Sequence, residues 1–97
     1  MSKSKIDIGE VFVTAGINAK MDKSETFSRE VVLSLHKFEC CDWGDTSEDD
    51  ALLNDRSVHD GTMNVMGAYE TTDGRIWIKT DKMPDKIITT VLFPSEY

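Results

Sequence analysis

The chain has 97 residues and a formal net charge of −7 at pH 7, and its middle third carries that charge. Residues 38–74 hold ten acidic side chains and one basic one, whereas the segments before and after are close to neutral. Such an anionic block repels phosphates, so it argues against nonspecific binding to nucleic acid or anionic membranes and favours a basic protein partner.

The length predicts one domain spanning residues 1–97. Residues 1–7 are expected to form a flexible lead-in, because residues 1–5 lack the apolar stretch of a secretion signal. No apolar run approaches the ~20 residues of a membrane span. The only cysteines are the neighbours Cys40 and Cys41. A disulfide between them would be strained, which fits a reducing compartment, so we expect an intracellular, cytoplasmic protein.

The first half of the chain predicts one strand and one helix. Residues 11–14 form a β-branched and aromatic run before Ala15-Gly16, which predicts a strand that ends in a turn. Residues 17–23 are expected to add a short helical turn. Ser28 is a predicted N-cap, because apolar residues recur after it at helical spacing, namely Val31, Val32, Leu35 and Phe38.

A second helix is predicted after the break at Trp43-Gly44-Asp45. Residues 46–49, Thr-Ser-Glu-Asp, combine a hydroxyl cap with acidic residues in the first turn, and Asp60-Gly61 marks the end of the helix. The apolar stripe of this helix is thin, so the helix is expected to lie on the surface.

The last third alternates with a period of two and predicts a meander of three antiparallel strands. Thr72-Asp73-Gly74 is a hairpin signal, and residues 81–85 form a second turn around Pro84. The predicted fold class is α+β, with an antiparallel sheet of three to four strands, including the N-terminal one, packed against two helices. Trp77 is expected to pack on a helix from the middle of its strand, and Trp43 to fill the space between helix and sheet.

Several short motifs resemble a family of small acidic proteins carried by bacterial plasmids, phages and other mobile elements. The resemblance covers roughly residues 8–97 and rests on the order of these pieces: Asp42-Trp43-Gly44-Asp45, Glu48-Asp49, Asn54-Asp55, Gly61, Ala68-Tyr69-Glu70, Ile76-Trp77-Ile78, Thr89-Thr90-Val91-Leu92-Phe93-Pro94 and Glu96-Tyr97. The chain departs from the family pattern at Ala15, where Arg is common, at Cys41, which replaces a Gly, and at Met83-Pro84, which lengthens the last hairpin.

Small proteins of this kind include inhibitors of host defence, notably anti-CRISPR proteins that act on type II effector nucleases. The resemblance therefore implies a counter-defence role. It leaves open whether the target would be bound empty or loaded with its guide.

Six carboxylates between residues 42 and 55 are the candidate partner-binding residues, and we call them the acidic segment: Asp42, Asp45, Glu48, Asp49, Asp50 and Asp55. In one interpretation they imitate spaced phosphates and occupy the basic channel in which a CRISPR effector holds its guide and target. In the other, three of them only stabilise a helix N-terminus, by about 0.3–1 kcal/mol each. Both interpretations hold together if the acids that favour the helix stay exposed.

Metal binding and catalysis are weaker hypotheses, so no metal, no cofactor and no enzyme activity are predicted. The acidic residues lack the glycine and terminal glutamate of a calcium loop, and adjacent cysteines do not match zinc-ligand spacing. His36 or His59 could pair with a cysteine in a small hydrolase, but no nucleophile elbow accompanies them. Each histidine falls in the last turn of a predicted helix, where a cation is favoured.

The sequence thus favours a non-enzymatic inhibitor that binds a basic nucleic-acid-handling protein and blocks its loading with guide RNA or DNA. The alternative is a structural or regulatory module whose exposed sheet edge pairs with a partner strand or with a second copy, as a homodimer.

Overall fold

The computed structural model describes residues 5–97, which form one sheet and three helices of an α+β fold, as expected. The elements, in chain order, are β1 (Glu10–Val13), α1 (Ala15–Lys23), α2 (Glu25–Glu39), α3 (Glu48–Asp60), β2 (Met66–Thr71), β3 (Gly74–Lys82), β4 (Ile87–Leu92) and a 3-10 turn (Pro94–Glu96). The expected count of two helices is wrong, because α1 is a helix of nine residues and not a single turn.

The sheet has the strand order β1-β4-β3-β2. The predicted meander is confirmed, since β2 pairs with β3 and β3 with β4 in antiparallel fashion. The expectation of an entirely antiparallel sheet is wrong, because β1 lies parallel to β4, with Val11 beside Thr89 and Val13 beside Val91. These two strands are far apart in the chain, so no hairpin turn fixes their relative direction.

The hydrophobic core lies between one face of the sheet and the helices. Helix α2 contributes Phe27, Val31 and Phe38, and the sheet contributes Ile76, Ile78 and Val91, all of them almost inaccessible to solvent. This packing fixes which sheet face is covered. The opposite face, which carries Trp77 and Lys79, is called the open face below.

The beginnings of α1 and α2 differ from the sequence prediction. Thr14 caps α1 by accepting a hydrogen bond from the Ile17 N–H at 3.3 Å, so the helix starts where a turn was expected. Ser24 caps α2 in the same way, so the predicted N-cap at Ser28 is wrong. The Ser28 hydroxyl instead donates to the carbonyl of Met21 at 3.0 Å, which ties α2 to α1.

The lead-in expected for residues 1–7 lies partly outside the described residues, which begin at Lys5. Ile6 packs against the core, and its N–H donates to the Glu39 carbonyl at the end of α2 at 2.9 Å. Within residues 5–97, no helix is both long and apolar enough to cross a membrane.

Candidate functional site

The loop that carries the first two candidate acids is fixed by Trp43. The indole is 5% exposed and packs edge-on against Phe38, with 5.4 Å between ring centroids. At Trp43 and two residues after it the backbone pairs with β2: the Ala68 N–H donates to the Trp43 carbonyl at 3.1 Å, and the Asp45 N–H donates to the Ala68 carbonyl at 2.8 Å. The loop therefore covers part of the outer edge of β2 and holds Asp45 against it.

Helix α3 completes this edge and carries the other four acids. Ser47 caps the helix by accepting a hydrogen bond from the Asp50 N–H at 3.2 Å, which confirms the predicted hydroxyl cap, and Gly61 ends the helix in a left-handed conformation. Asn54 is the one buried residue of α3. Its side-chain amide donates to the Met66 carbonyl at 2.8 Å and accepts from the Met66 N–H at 3.3 Å. This pair of hydrogen bonds docks the helix on β2.

The six side chains of the acidic segment are all exposed, but their surroundings differ. Asp42 accepts from the N–H of Gly44, and Asp55 accepts from the Trp43 indole N–H at 3.0 Å. An oxygen of Asp45 lies 3.8 Å from a guanidinium nitrogen of Arg75. Each of these three carboxylates therefore has an intramolecular partner.

The first turn of α3 is different. Among the described residues, no Lys, Arg or His nitrogen lies within 4.0 Å of a carboxylate oxygen of Glu48, Asp49 or Asp50. The side chain that accepts the capping hydrogen bond is the Ser47 hydroxyl and not one of these acids. They favour the helix through its dipole, by about 0.3–1 kcal/mol each, yet their side chains remain exposed to solvent.

The segment does not converge on one point. Successive residues of a helix are about 100° apart, so the three first-turn acids point in three directions around α3. Asp55, seven residues after Glu48, returns to nearly the same side as Glu48. Asp45 and Asp50 instead line a groove on the open face of the sheet. The structure thus places all six acids on α3 and the loop before it. They form an exposed anionic surface and do not line a common pocket.

The groove beside Asp45 and Asp50 has a volume of about 690 Å³ and contains aromatic and cationic side chains. The rings of Trp77 and Tyr97 meet edge-on, with 5.5 Å between centroids, and the Lys79 ammonium lies 5.7 Å from the centre of the Tyr97 ring. The expectation that Trp77 packs on a helix is therefore wrong, because its ring meets Tyr97 on the open face. Strict alternation in β3 shows why, since buried neighbours at 76 and 78 place residue 77 on the open face.

The cations of this groove are already engaged by carboxylates. The Arg75 guanidinium donates to Glu70 at 2.6 Å, and this hydrogen bond raises the pKa of Arg75. The Lys79 ammonium donates to Asp81 at 3.1 Å. A second anionic ligand would have to displace these partners, so the groove offers no ready anion site.

The residues considered for metal binding or catalysis lie elsewhere. Cys40 and Cys41 are half-buried and follow α2, and His36 contacts Glu39 on the same helix at 3.6 Å. His36 and His59 lie in the last turns of α2 and α3, as expected. Over residues 5–97, no group of three or more His, Cys, Asp or Glu side chains is placed to hold a metal ion.

One buried titratable group supports the loop of the acidic segment. The Tyr69 hydroxyl donates to the Asp42 carbonyl at 2.7 Å, and burial, with the nearby Asp42 carboxylate, raises the pKa of Tyr69. The phenol therefore stays protonated and keeps this hydrogen bond throughout the physiological range. Sequence reasoning did not identify it, because the partner is a backbone carbonyl 27 residues away.

Comparison with known proteins adds no functional assignment. No family model, no curated protein and no solved structure matches the chain.

Proposed function

We propose that this protein is a counter-defence protein carried by a mobile genetic element, a non-enzymatic inhibitor that acts in the bacterial cytoplasm on a basic nucleic-acid-handling host protein of the CRISPR effector class. The acidic segment would enter the channel that receives guide RNA or DNA and block its loading. The single observation that supports this function is the first turn of α3, where Glu48, Asp49 and Asp50 are exposed and form no ion pair with any cation of residues 5–97.

Rigid presentation strengthens the argument. The side chain of Asn54 and the backbone of the loop both bond to β2, so the carboxylates sit on a docked helix and a paired loop. A preorganised set of charges loses little conformational entropy on binding, and complementary charge accelerates encounter with a basic surface. Because the hydroxyl of Ser47 supplies the cap, the three acids can face a partner without the helix losing its first hydrogen bond.

The experiment measures guide RNA binding to a purified, guide-free type II effector, by fluorescence anisotropy at low salt, with increasing amounts of this protein. The parent chain should displace the RNA. The triple variant Glu48→Lys, Asp49→Lys, Asp50→Lys should lose this competition, and the neutral variant Glu48→Gln, Asp49→Asn, Asp50→Asn should weaken it.

A matched control changes the net charge by the same amount elsewhere. Asp22, Asp60 and Asp85 are exposed and form no ion pair among the described residues, so their triple change to Lys tests net charge without touching the first turn of α3. If the control loses inhibition as fully as the α3 variant, net charge alone acts and the site is wrong. If neither the parent nor any variant competes with RNA, the proposed mechanism is wrong.

A further inference from the structure

The two edge strands of the sheet differ in how far other parts of the described chain cover them. The outer edge of β2 is covered by the loop around Gly44 and by Asn54. The outer edge of β1 pairs with no strand in the part of the chain that the structure describes. All four residues of β1 are exposed, including Val11 at 42%, Phe12 at 50% and Val13 at 36%. Natural proteins protect such an edge by keeping it short or by placing charges or Pro on it; β1 is short, with four residues, but its one charge is Glu10 at the start, and the three residues after it are apolar.

The exposed edge is held rigidly from its inner side. Before the strand, the Thr89 hydroxyl donates to the Ile8 carbonyl at 2.6 Å. Gly9 has φ +60° and passes so close to β4 that a Cβ there would lie 2.0 Å from the Ile87 carbonyl oxygen. After the strand, the Thr14 N–H donates to the Val91 carbonyl at 3.1 Å. The extended backbone of β1 is therefore fixed before any partner arrives.

The hydrogen bonding of Thr14 shows which backbone groups of β1 point away from β4. The Thr14 N–H points toward β4, and the backbone groups of successive residues in a strand point to opposite sides. Phe12 therefore also directs its N–H and C=O toward β4. Val11 and Val13 direct theirs outward, where no strand of residues 5–97 pairs with them, so this edge offers two N–H donors and two C=O acceptors.

We propose that this edge binds the same edge of a second copy, in antiparallel orientation, about a two-fold axis at Phe12. In this register Val11 lies opposite Val13 of the other copy, and each pair exchanges two hydrogen bonds, which uses all the outward backbone groups of residues 11 and 13. Phe12 lies opposite its own counterpart on the open face. The two sheets join into one of eight strands, four from each copy.

Self-complementarity favours a second copy over an unrelated peptide. A two-fold axis perpendicular to the sheet keeps equivalent faces together, as an isologous dimer requires, and in this register apolar residues meet apolar residues. Glu10 comes opposite Thr14, so no like charges face each other across the strands. The acidic segment lies beside β2, at the far edge of the sheet, so the two most negative surfaces stay apart.

The first test measures the oligomeric state by sedimentation equilibrium up to millimolar concentration. The parent should dimerise, and the dimer should persist at high salt, where charge-driven association weakens. Val11→Pro removes an outward N–H, a change that edge strands tolerate, and it should raise the dimer dissociation constant about tenfold or more. Val11→Thr keeps the N–H and the β-branched shape, so it should dimerise as the parent does.

The second test checks the register and uses an exposed residue, so the variants should fold. Phe12→Lys and Phe12→Glu each place like charges opposite one another, so each chain alone should be monomeric. An equimolar mixture should form a heterodimer, because opposite charges then face each other across the axis.

A monomeric parent at millimolar concentration would overturn the proposal. So would a dimer unaffected by Val11→Pro, or a Phe12→Lys chain that dimerises as well as the parent. None of these results bears on the inhibitor function, which depends on the opposite edge of the molecule.

Discussion

Replacing Asn54 with alanine should separate α3 from the sheet while leaving every carboxylate of the acidic segment in place. The Asn54 side chain is 7% exposed and makes both of its hydrogen bonds to the backbone of Met66. Asn54→Ala therefore leaves the N–H and C=O of an edge strand without protein partners. Nothing about the net charge changes.

The cost follows from those two hydrogen bonds. Each contributes about 0.5–1.5 kcal/mol net, so the free energy of unfolding should fall by about 2 kcal/mol. A domain of this size has a total stability of about 5–15 kcal/mol. The same loss corresponds to a decrease in Tm of roughly 8–16 °C. Water can reach Met66, which is 38% exposed, and this keeps the cost from rising further.

Urea denaturation followed by tryptophan fluorescence, to which the buried Trp43 and the half-buried Trp77 both contribute, measures the change. Leu53→Ala is the matched control, because Leu53 is its neighbour on α3 and is 58% exposed, so its loss should change stability by less than about 0.5 kcal/mol. Asn54→Ala should also weaken RNA competition although no charge is lost. If its unfolding free energy stays within about 0.5 kcal/mol of the parent, Asn54 does not dock the helix and the reasoning fails.

Two further predictions concern the ends of the fold and its loop. Hydrogen bonds from the Thr14 hydroxyl at 2.6 Å and from the Phe93 N–H at 2.9 Å lower the pKa of Glu96. Its stabilisation is therefore present above its unfolded pKa of about 4.3 and is lost as the pH falls through the lower folded value. Glu96→Gln should flatten the decrease in Tm below pH 5, and an unchanged acid profile would contradict this role. Gly44→Ala should lower stability by more than about 2 kcal/mol in urea denaturation, because φ is +69° and the new Cβ would lie 2.1 Å from the Ala68 carbonyl oxygen. A fully stable Gly44→Ala variant would refute the close approach of loop and strand.

The start of α3 and the β2–β3 hairpin were predicted correctly because residues adjacent in the sequence determine them. Ser47 with its following acids predicted the start of α3, and Thr72-Asp73-Gly74 predicted the β2–β3 hairpin, which the structure closes with Thr71 opposite Gly74. The start of α2 was misplaced because Ser24 and Ser28 are both plausible caps. Burial of Phe27 against Phe93, a contact between distant parts of the chain, favours the earlier one.

Two features depend on packing between distant parts of the chain: the direction of β1 in the sheet, and which face of the sheet, with Trp77 on it, the helices leave uncovered. A single sequence therefore did not reveal them. The candidate acids were predicted from composition alone, and the structure shows each of them exposed. Their pairing differs for a physical reason outside the segment. Asp45 meets Arg75 only because the loop lies beside β2, next to the β3 strand that carries Arg75.

The position of β4 has a consequence for how the molecule is made. β4 is the last strand in chain order, yet it lies inside the sheet, between β1 and β3. During synthesis β1 emerges early and must wait for Ile87–Leu92 before it can pair. Closing such a sequence-distant contact slows folding. Nascent chains therefore carry the apolar β1 segment unprotected until translation of the domain is nearly finished.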